Sequence, residues 1–294
     1  MKGKLVIGSR ASKLAVRQAE IVMERIRGCH PDIETEIKTY VTTGDKILDQ
    51  NLDRIGGKGL FVRELDQALM DGRIDIAVHS LKDMPMETPS YLPILAYSKR
   101  EDPRDTLILP QDGQKWDGTG IVGCSSARRT LQLKNLYPNA ESAGIRGNIH
   151  TRLNKLDAGG CAALVLACAG LKRMGLACRI SRVFAPEEML PAAGQGILAV
   201  QGRRNGGLED LLLCVNDAES QACAIAERAF VSALGGGCIE PIAAYAQIAG
   251  NEIYLSGLYV DETGRQISGN IAGPLSEARQ LGETLANRLA GELI

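Results

Sequence analysis

The stretch GLFVRELDQALMDGRIDIAVHS, Gly59 to Ser80, decides the fold. Over 59–73 its charged and apolar residues recur at the spacing of an amphipathic helix. Residues 74–80 then place Ile74, Ile76, Ala77 and Val78 on both faces of a strand, which describes a strand buried on both sides. Upstream, KLVIG at 4–8 reads as a strand. A helix follows from about Ser12, with Leu14, Ala15, Ala19, Ile21, Val22 and Ile26 on its apolar side, and alternation over 33–41 gives a second strand. The sequence is βαβαβ, the pattern of a parallel sheet covered by helices.

Downstream the alternation continues. Strands are expected at 92–97, 105–109, 120–123, 140–144 and 162–167, with helices from Ser125 and from Asn148 to Ala158, so a second α/β unit occupies about 100–195. A third unit begins near Asn216. Ala222, Ile225, Ala226, Ala229 and Ala233 share one helical face, Gly235 is the expected C-cap, and IAAYAQI, EIYLSGLYV and RQISGNIA read as three strands before a closing helix from about Ser276. The third unit is therefore small and α+β.

Composition narrows the function. The 294 residues carry a net charge of −1, so the chain as a whole is not a polycation built for nucleic acid. One Trp, three Phe and seven Tyr are few for base-stacking platforms. MKGKLVIGSR is too short an apolar run for a signal peptide, and CAALVLACAGL at 161–171 falls far below a membrane span of roughly 20 residues. A cytoplasmic location is expected. The eight cysteines include no C-x-x-C, and His30, His79 and His150 form no helical ligand pair, so no metal site is expected.

The candidate chemistry gathers where strands end. HSLKDMP, 79–85, closes a buried strand with Ser, Lys and Asp, and ligands of open parallel sheets bind beyond the carboxyl ends of strands. Asp83 has two readings there, a turn residue before Pro85 or a functional carboxylate. GCSSARR, 123–129, leaves another strand. Ser125 or Ser126 could cap the next helix, and Arg128 and Arg129 would sit in its first turn, against the helix dipole, where an anionic ligand would account for them. GIRGNIHTR places Arg146 before a helix and Arg152 within it, and RIGGKG adds Arg54 and Lys58. Together these cations describe a cleft for several carboxylates or phosphates. GGKGL lacks the spacing of a P-loop, and GQGILA precedes a strand rather than following one.

The remaining puzzle is ALGGGCIEPIA, 233–243, where three glycines lead into Cys238. A cysteine is usually a small buried hydrophobe, but bare backbone also lets something large reach the sulfur.

In order along almost the whole chain stand GGKGLFVRELDQALMDGRIDIAVHSLKDMP, REDPRD, GCSSARR, RGNIHTRLNKLDAGG, LPAAGQG and GGGCIEPIAAY. This ordered set resembles the porphobilinogen deaminase (hydroxymethylbilane synthase) family. The resemblance implies two periplasmic-binding-protein-like (type II) α/β domains with two crossovers and a small α+β C-terminal domain. It places them at 1–98 plus about 196–215, at 99–195 and at 216–294. It implies a monomeric transferase that condenses four porphobilinogen molecules head to tail on a dipyrromethane cofactor, expels ammonia at each step and releases hydroxymethylbilane. Cys238 falls on the family's cofactor-bearing position, a thioether, and Asp83 on its catalytic carboxylate. A thiolate suits a soft methylene electrophile, and a fixed carboxylate suits the cationic species formed as ammonia leaves.

Each pyrrole carries an acetate and a propionate. The family positions that bind these groups or the cofactor correspond to Arg10, Ser12, Arg54, Lys58, Ser80, Lys82, Ser125, Ser126, Arg128, Arg129, Arg146, Gly147, Asn148, Arg152, Arg173 and Gln195. The chain departs from the family pattern at Val6, where a basic residue is usual, at Cys124, where Thr is usual, and at Arg54, where Lys is usual. Two rival classes are a non-catalytic anion-binding protein of the same two-lobed fold, which would not need the third domain, and a nucleic-acid binder using the arginine pairs.

Overall fold

A computed structural model of the protein describes residues 3–42, 62–111, 115–237, 240–261 and 263–291. Arg54, Lys58 and Cys238 lie outside the described residues, as does the start of the helix expected from Gly59. The chain forms two compact units. The first contains Met1–Arg100 and Ile197–Gln221, and the second contains Glu101–Gly196 and Ala222–Ile294.

In the first unit, β1 (Lys4–Arg10), α1 (Lys13–Cys29), β2 (Glu34–Tyr40), α2 (Arg63–Met70) and β3 (Ile76–Ser80) make the βαβαβ core. β1 pairs in parallel with both β2 and β3. Ile76 and Val78 of β3 pack with Ile7, Ala19, Val22 and Ile26 on the α1 side, while Ala77 packs with Leu65, Leu69 and Leu92 on the other. The strand is thus buried on both faces, as its unbroken apolar run requires. Two more strands complete the sheet, β4 (Ile94–Tyr97) and β10 (Leu198–Gly202). β10 inserts antiparallel between β3 and β4, so the order is β2-β1-β3-β10-β4.

The second unit repeats this plan. β5 (Asp105–Ile108), β6 (Gly120–Gly123), α3 (Ala127–Leu136), β7 (Ala140–Ala143), α4 (Ile149–Asp157), β8 (Ala163–Ala167), α5 (Cys168–Arg173) and β9 (Arg182–Val183) form a sheet of order β7-β6-β8-β5-β9. β6 is parallel to β7 and β8, and β5 is antiparallel to β8. In both sheets three parallel strands stand in the order second, first, third. The next strand in each is antiparallel and is the first that the chain forms after passing from the other unit, β5 after Arg100 and β10 after Gly196. This is the two-crossover, type II periplasmic-binding-protein topology.

The C-terminal part is α+β. α6 (Glu209–Leu212) precedes the long helix α7 (Ala218–Ala233). β11 (Ala243–Ala249), β12 (Glu252–Val260) and β13 (Gln266–Pro274) then form an antiparallel sheet, and α8 (Ala278–Gly291) closes the chain. Phe230 of α7 is fully buried against Gly257 of β12, where a methyl group would meet the ring at 2.5 Å.

Candidate functional site

In the first unit the site residues come from neighbouring strand ends. The β1–β3 register pairs Gly8 with Ala77, so continued pairing sets Arg10 level with His79, and Ser80, Lys82 and Asp83 follow directly. Residues Leu81–Asp83 form a 3-10 turn tied to the sheet by the Leu81 N–H, which donates to Ile197 O at 3.0 Å. That turn leaves Asp83 exposed and Lys82 half-buried. Ser80 exchanges hydrogen bonds with the buried Gln18 of α1, at 2.8 and 3.1 Å. Ser12 is the N-cap of α1, its hydroxyl accepting from the Ala15 N–H at 3.3 Å.

Behind this edge lies buried His79. Its Nε2 is 3.1 Å from Gln201 Oε1, and Gln201 Nε2 donates to Leu92 O. With the amide so oriented, His79 donates from Nε2. Burial is the main cause that lowers its pKa to about 4, the Gln201 bond opposes this, and the Arg10 charge lowers it further. The imidazole is therefore neutral at pH 7.

In the second unit the parallel strands β6, β7 and β8 end on one edge. Ser125, after β6, exchanges hydrogen bonds with the backbone of Ile145, after β7, at 2.9 and 3.0 Å. Ser126 holds the N-cap position of α3 but makes no side-chain cap bond, and Ser125 is spent on Ile145, so neither serine caps the helix through its hydroxyl. The Arg146–Asn148 turn is held from α4. Asn148 Oδ1 caps the helix at the Thr151 N–H at 3.0 Å, and Arg152 Nε donates to Gly147 O at 2.8 Å. Arg173, at the end of α5, donates from Nη2 to Gly196 O at 2.6 Å, and burial lowers its pKa to about 10 against the opposing charge of Glu101.

Arg128 and Arg129 do sit in the first turn of α3, but their nearest counter-charge belongs to the protein. Asp105, the first residue of β5 and fully buried, lies 2.8 Å from Arg128 Nη1 and 2.7 Å from Arg129 Nη2. Buried Gln195 donates to the same carboxylate at 3.0 Å. Arg128 Nη1 also donates to Leu190 O at 2.6 Å. Burial pulls the Arg128 pKa down while Asp105 pushes it back. Sequence reading assigned Asp105 no role. Its signal was the last residue of REDPRD, an acid opening an apolar strand. The cluster brings Arg128, Arg129 and Gln195 together on one buried carboxylate at this edge.

The glycines before Cys238 have structural work of their own. Gly235 has φ +68°, its N–H donates to Ser232 O at 2.9 Å, and the Gly236 N–H donates to Val231 O at 3.0 Å. This is a Schellman cap on α7, as expected of Gly235. A Cβ on Gly236 would lie 2.3 Å from Ile242. These two glycines therefore serve the cap and the packing beneath it. The Gly237 N–H donates to Glu240 Oε2 at 2.6 Å.

A groove of about 660 Å³ also runs in the second unit between α3 and the C-terminal sheet, lined by Gln132, Asn135, Tyr254 and Gln266 among others and by the acids Glu187 and Glu188. No cation lines it, so it does not match a polyanion. The candidate anion-binding residues lie instead at strand ends of a two-crossover α/β protein.

Residues 5–208 match the family model described as porphobilinogen deaminase, dipyromethane cofactor binding domain, and residues 221–291 match porphobilinogen deaminase, C-terminal domain. The chain is 52% identical over 283 residues to the porphobilinogen deaminase of Acetivibrio thermocellus, covering 96% of this chain and 97% of that protein. It is 53% identical to that of Ruminiclostridium josui, covering 95% and 96%. It is 45% identical to that of Chromobacterium violaceum, covering 97% and 94%. The chain belongs to the porphobilinogen deaminase family. Among solved structures, the methionine-binding protein MetQ aligns over 72% of this chain and 89% of its own, at 13% identity and a TM-score of 0.43. At that score the likeness is remote, and the fold rests on strand order.

Proposed function

We propose that this chain is a transferase that condenses four porphobilinogen molecules head to tail and releases hydroxymethylbilane, with Cys238 holding a dipyrromethane through a thioether. The observation that carries the reading is the family match over 5–208 and 221–291. It is supported by the placing of Arg10, Ser80, Lys82 and Asp83 at one sheet edge and of the arginine cluster at another. When bound, the dipyrromethane would supply the free pyrrole carbon to which the first unit is joined, each later unit being joined to the one before it.

The chain's own residues do the rest. The Asp83 carboxylate, presented to solvent by its 3-10 turn, stabilises positive charge on the substrate as ammonia leaves and holds the proton that coupling releases. Arg10, Ser12, Ser80 and Lys82 bind acetate and propionate groups in the first unit, with Arg54 and Lys58 assigned to the same task. Ser125, Ser126, Arg128, Arg129, Arg146, Gly147, Asn148, Arg152, Arg173 and Gln195 do so in the second. Arg128 and Arg129 are the best supported of these, because Asp105 holds both in place. The three-domain division, 1–98 with about 196–215, 99–195 and 216–294, belongs to the same proposal and is supported by three separate sheets. So do the monomeric state and the cytoplasmic location. Among the described residues no helix is long and apolar enough to cross a membrane.

The test is the intact mass of protein from a tetrapyrrole-producing cell. The mass exceeds the 31.5 kDa of the sequence by two condensed pyrrole units, grows in steps on adding porphobilinogen, and the adduct maps to Cys238 and to none of the other seven cysteines. Cys238→Ser folds and forms no hydroxymethylbilane. An unmodified Cys238 in active enzyme overturns the attachment, and a protein both unmodified and inactive leaves an anion-binding protein as the better account.

A further inference from the structure

Gln132 stands on α3 four residues after Arg128, so the two side chains leave the same face of the helix. It is buried, and its amide is bound to the segment that follows β9. Gln132 Oε1 accepts the Leu190 N–H at 2.6 Å, and Gln132 Nε2 donates to Leu190 O at 3.1 Å. One side-chain amide thus meets both main-chain groups of one residue, as a hydrogen-bonded pair of residues does in an antiparallel sheet. Nε2 also donates to Arg128 O at 3.3 Å, which ties the clamp back to its own helix.

Leu190 O has a second partner. A carbonyl oxygen has two lone pairs, and this one also accepts from Arg128 Nη1 at 2.6 Å. The same Nη1 lies 2.8 Å from Asp105 Oδ2. The place of Leu190 O therefore fixes one corner of the Arg128 guanidinium, and because that group is planar and rigid it fixes the direction of the rest. Farther along the segment, the Gly194 N–H donates to Glu227 Oε2 at 2.7 Å, and Gln195 donates to Asp105 Oδ1 at 3.0 Å. The stretch from Leu190 to Gln195 is held by Gln132 at its start and by Glu227 and Asp105 at its end.

We propose that Gln132 is a positioning residue, whose amide clamps Leu190 and thereby sets Arg128 for a carboxylate of the dipyrromethane. The inference rests on the reading of Arg128 as one of the cofactor's binding groups. Glutamine suits the task because it offers a donor and an acceptor at one reach. Asparagine is one methylene short. Glutamate keeps an acceptor for the Leu190 N–H but turns a second oxygen toward two carbonyls. Methionine fills the volume and makes neither bond. Gln132 and Leu190 both line the groove beside α3, so water can take the Leu190 N–H and C=O when the amide is gone. The loss then falls on the placing of Arg128 and not on folding.

The test uses full-length protein purified from a tetrapyrrole-producing cell. Intact mass gives the fraction of chains carrying two condensed pyrroles, and steady-state assay with porphobilinogen gives kcat and KM. Gln132→Met is expected to fold, to exchange the Leu190 amide faster and to show a lower loaded fraction. Per loaded chain, kcat is expected to fall roughly 2–10-fold, the worth of one neutral hydrogen bond, with KM within about twofold of the parent. Gln132→Asn gives the same pattern. In an Arg128→Lys background, Gln132→Met adds less than about a further twofold, because the two residues act as a unit. Ile253→Val, a change at a fully buried position of β12 in the same unit, lowers the melting midpoint and leaves loading and kcat unchanged. Full loading with parental kcat in Gln132→Met overturns the proposal. So does an equal loss in Ile253→Val, or a Gln132→Met loss that persists undiminished beside Arg128→Lys. An Arg128→Lys protein with parental loading and kcat overturns the reading of Arg128 and this inference with it. A defective Arg128→Lys beside a parental Gln132→Met overturns this inference alone.

Discussion

Asp105 accepts two hydrogen bonds from Arg129, from Nε at 3.0 Å and from Nη2 at 2.7 Å, and does so fully buried. Arg128 lies against the other oxygen of the same carboxylate. A sequence reading that saw only the helix dipole opposing two arginines inferred an external anion. The structure shows that β5 delivers an internal one.

The cluster can be taken apart by substitution. Asp105→Asn leaves two buried guanidiniums facing a neutral amide, and removing one partner of a buried pair costs about 3–5 kcal/mol. Urea unfolding monitored by circular dichroism gives the value. Arg128→Leu removes the arginine paired with Asp105 Oδ2, and is expected to yield folded protein with little or no dipyrromethane by intact mass. Arg129→Leu, which also loses a bond to Val165 O at 3.3 Å, is expected to show the same loss together with the larger drop in stability. A full complement of cofactor in both variants, with only KM raised, would remove them from the cofactor's binding groups.

Asp83→Asn separates charge from structure. The side chain is exposed, so the melting midpoint is expected to stay within a degree or two of the parent. Turnover is expected to fall roughly 10²-fold or more, the scale of a lost acid–base group. Steady-state assay beside a thermal melt decides it, and near-normal turnover would make Asp83 a turn residue ahead of Pro85.

Most of the fold was legible because local periodicity reports burial. The apolar run Ile76–Val78 announced a strand covered on both faces, and the alternation of strands and helices announced two α/β units. The partners of distant segments were not legible. Nothing local to Leu198–Gly202 says that it enters antiparallel between β3 and β4, since that pairing is set by where the chain returns. Asp105 escaped for the same reason. Its two arginines are more than twenty residues away, and an acid at the head of a strand looks like a solvated end until the fold buries it. The glycines of GGGC carry two readings. They were read as room for a ligand and, at Gly235, as a helix cap; the cap is what the described residues show, with Gly235 and Gly236 terminating α7 and Gly236 admitting Ile242.

His79 predicts a pH dependence. Its folded pKa is about 4, below the ordinary value of 6.5, so between these limits the unfolded chain binds the proton that the native state refuses. Stability is fully present above about pH 6.5 and is lost as pH falls toward 4, by a total of about 3 kcal/mol for this group. His79→Gln, which keeps a donor for Gln201, is expected to flatten that slope. The check is urea unfolding free energy from pH 7 to 4 in both proteins, and parallel curves would mean that other groups carry the acid sensitivity.

Glu227 shows how a conservative substitution can fail. It is fully buried on α7, and its two carboxylate oxygens serve different segments. Oε2 accepts the Gly194 N–H at 2.7 Å, and Oε1 accepts the Ala246 N–H at 2.7 Å. The first bond fixes the loop that carries Gln195 to Asp105, and the second fixes β11. A glutamine at this position has one oxygen and one amide nitrogen, so whichever way it turns, a donor faces a donor. One buried N–H loses its acceptor, at a cost of about 1–3 kcal/mol. Glu227→Gln is therefore expected to lower the unfolding free energy by that amount and to speed amide exchange at Gly194 or at Ala246, depending on which bond the amide keeps. Hydrogen exchange resolved to single residues distinguishes this from a general loosening. Faster exchange spread evenly over the second unit, with neither amide singled out, would show that Glu227 acts through packing and not through its two bonds.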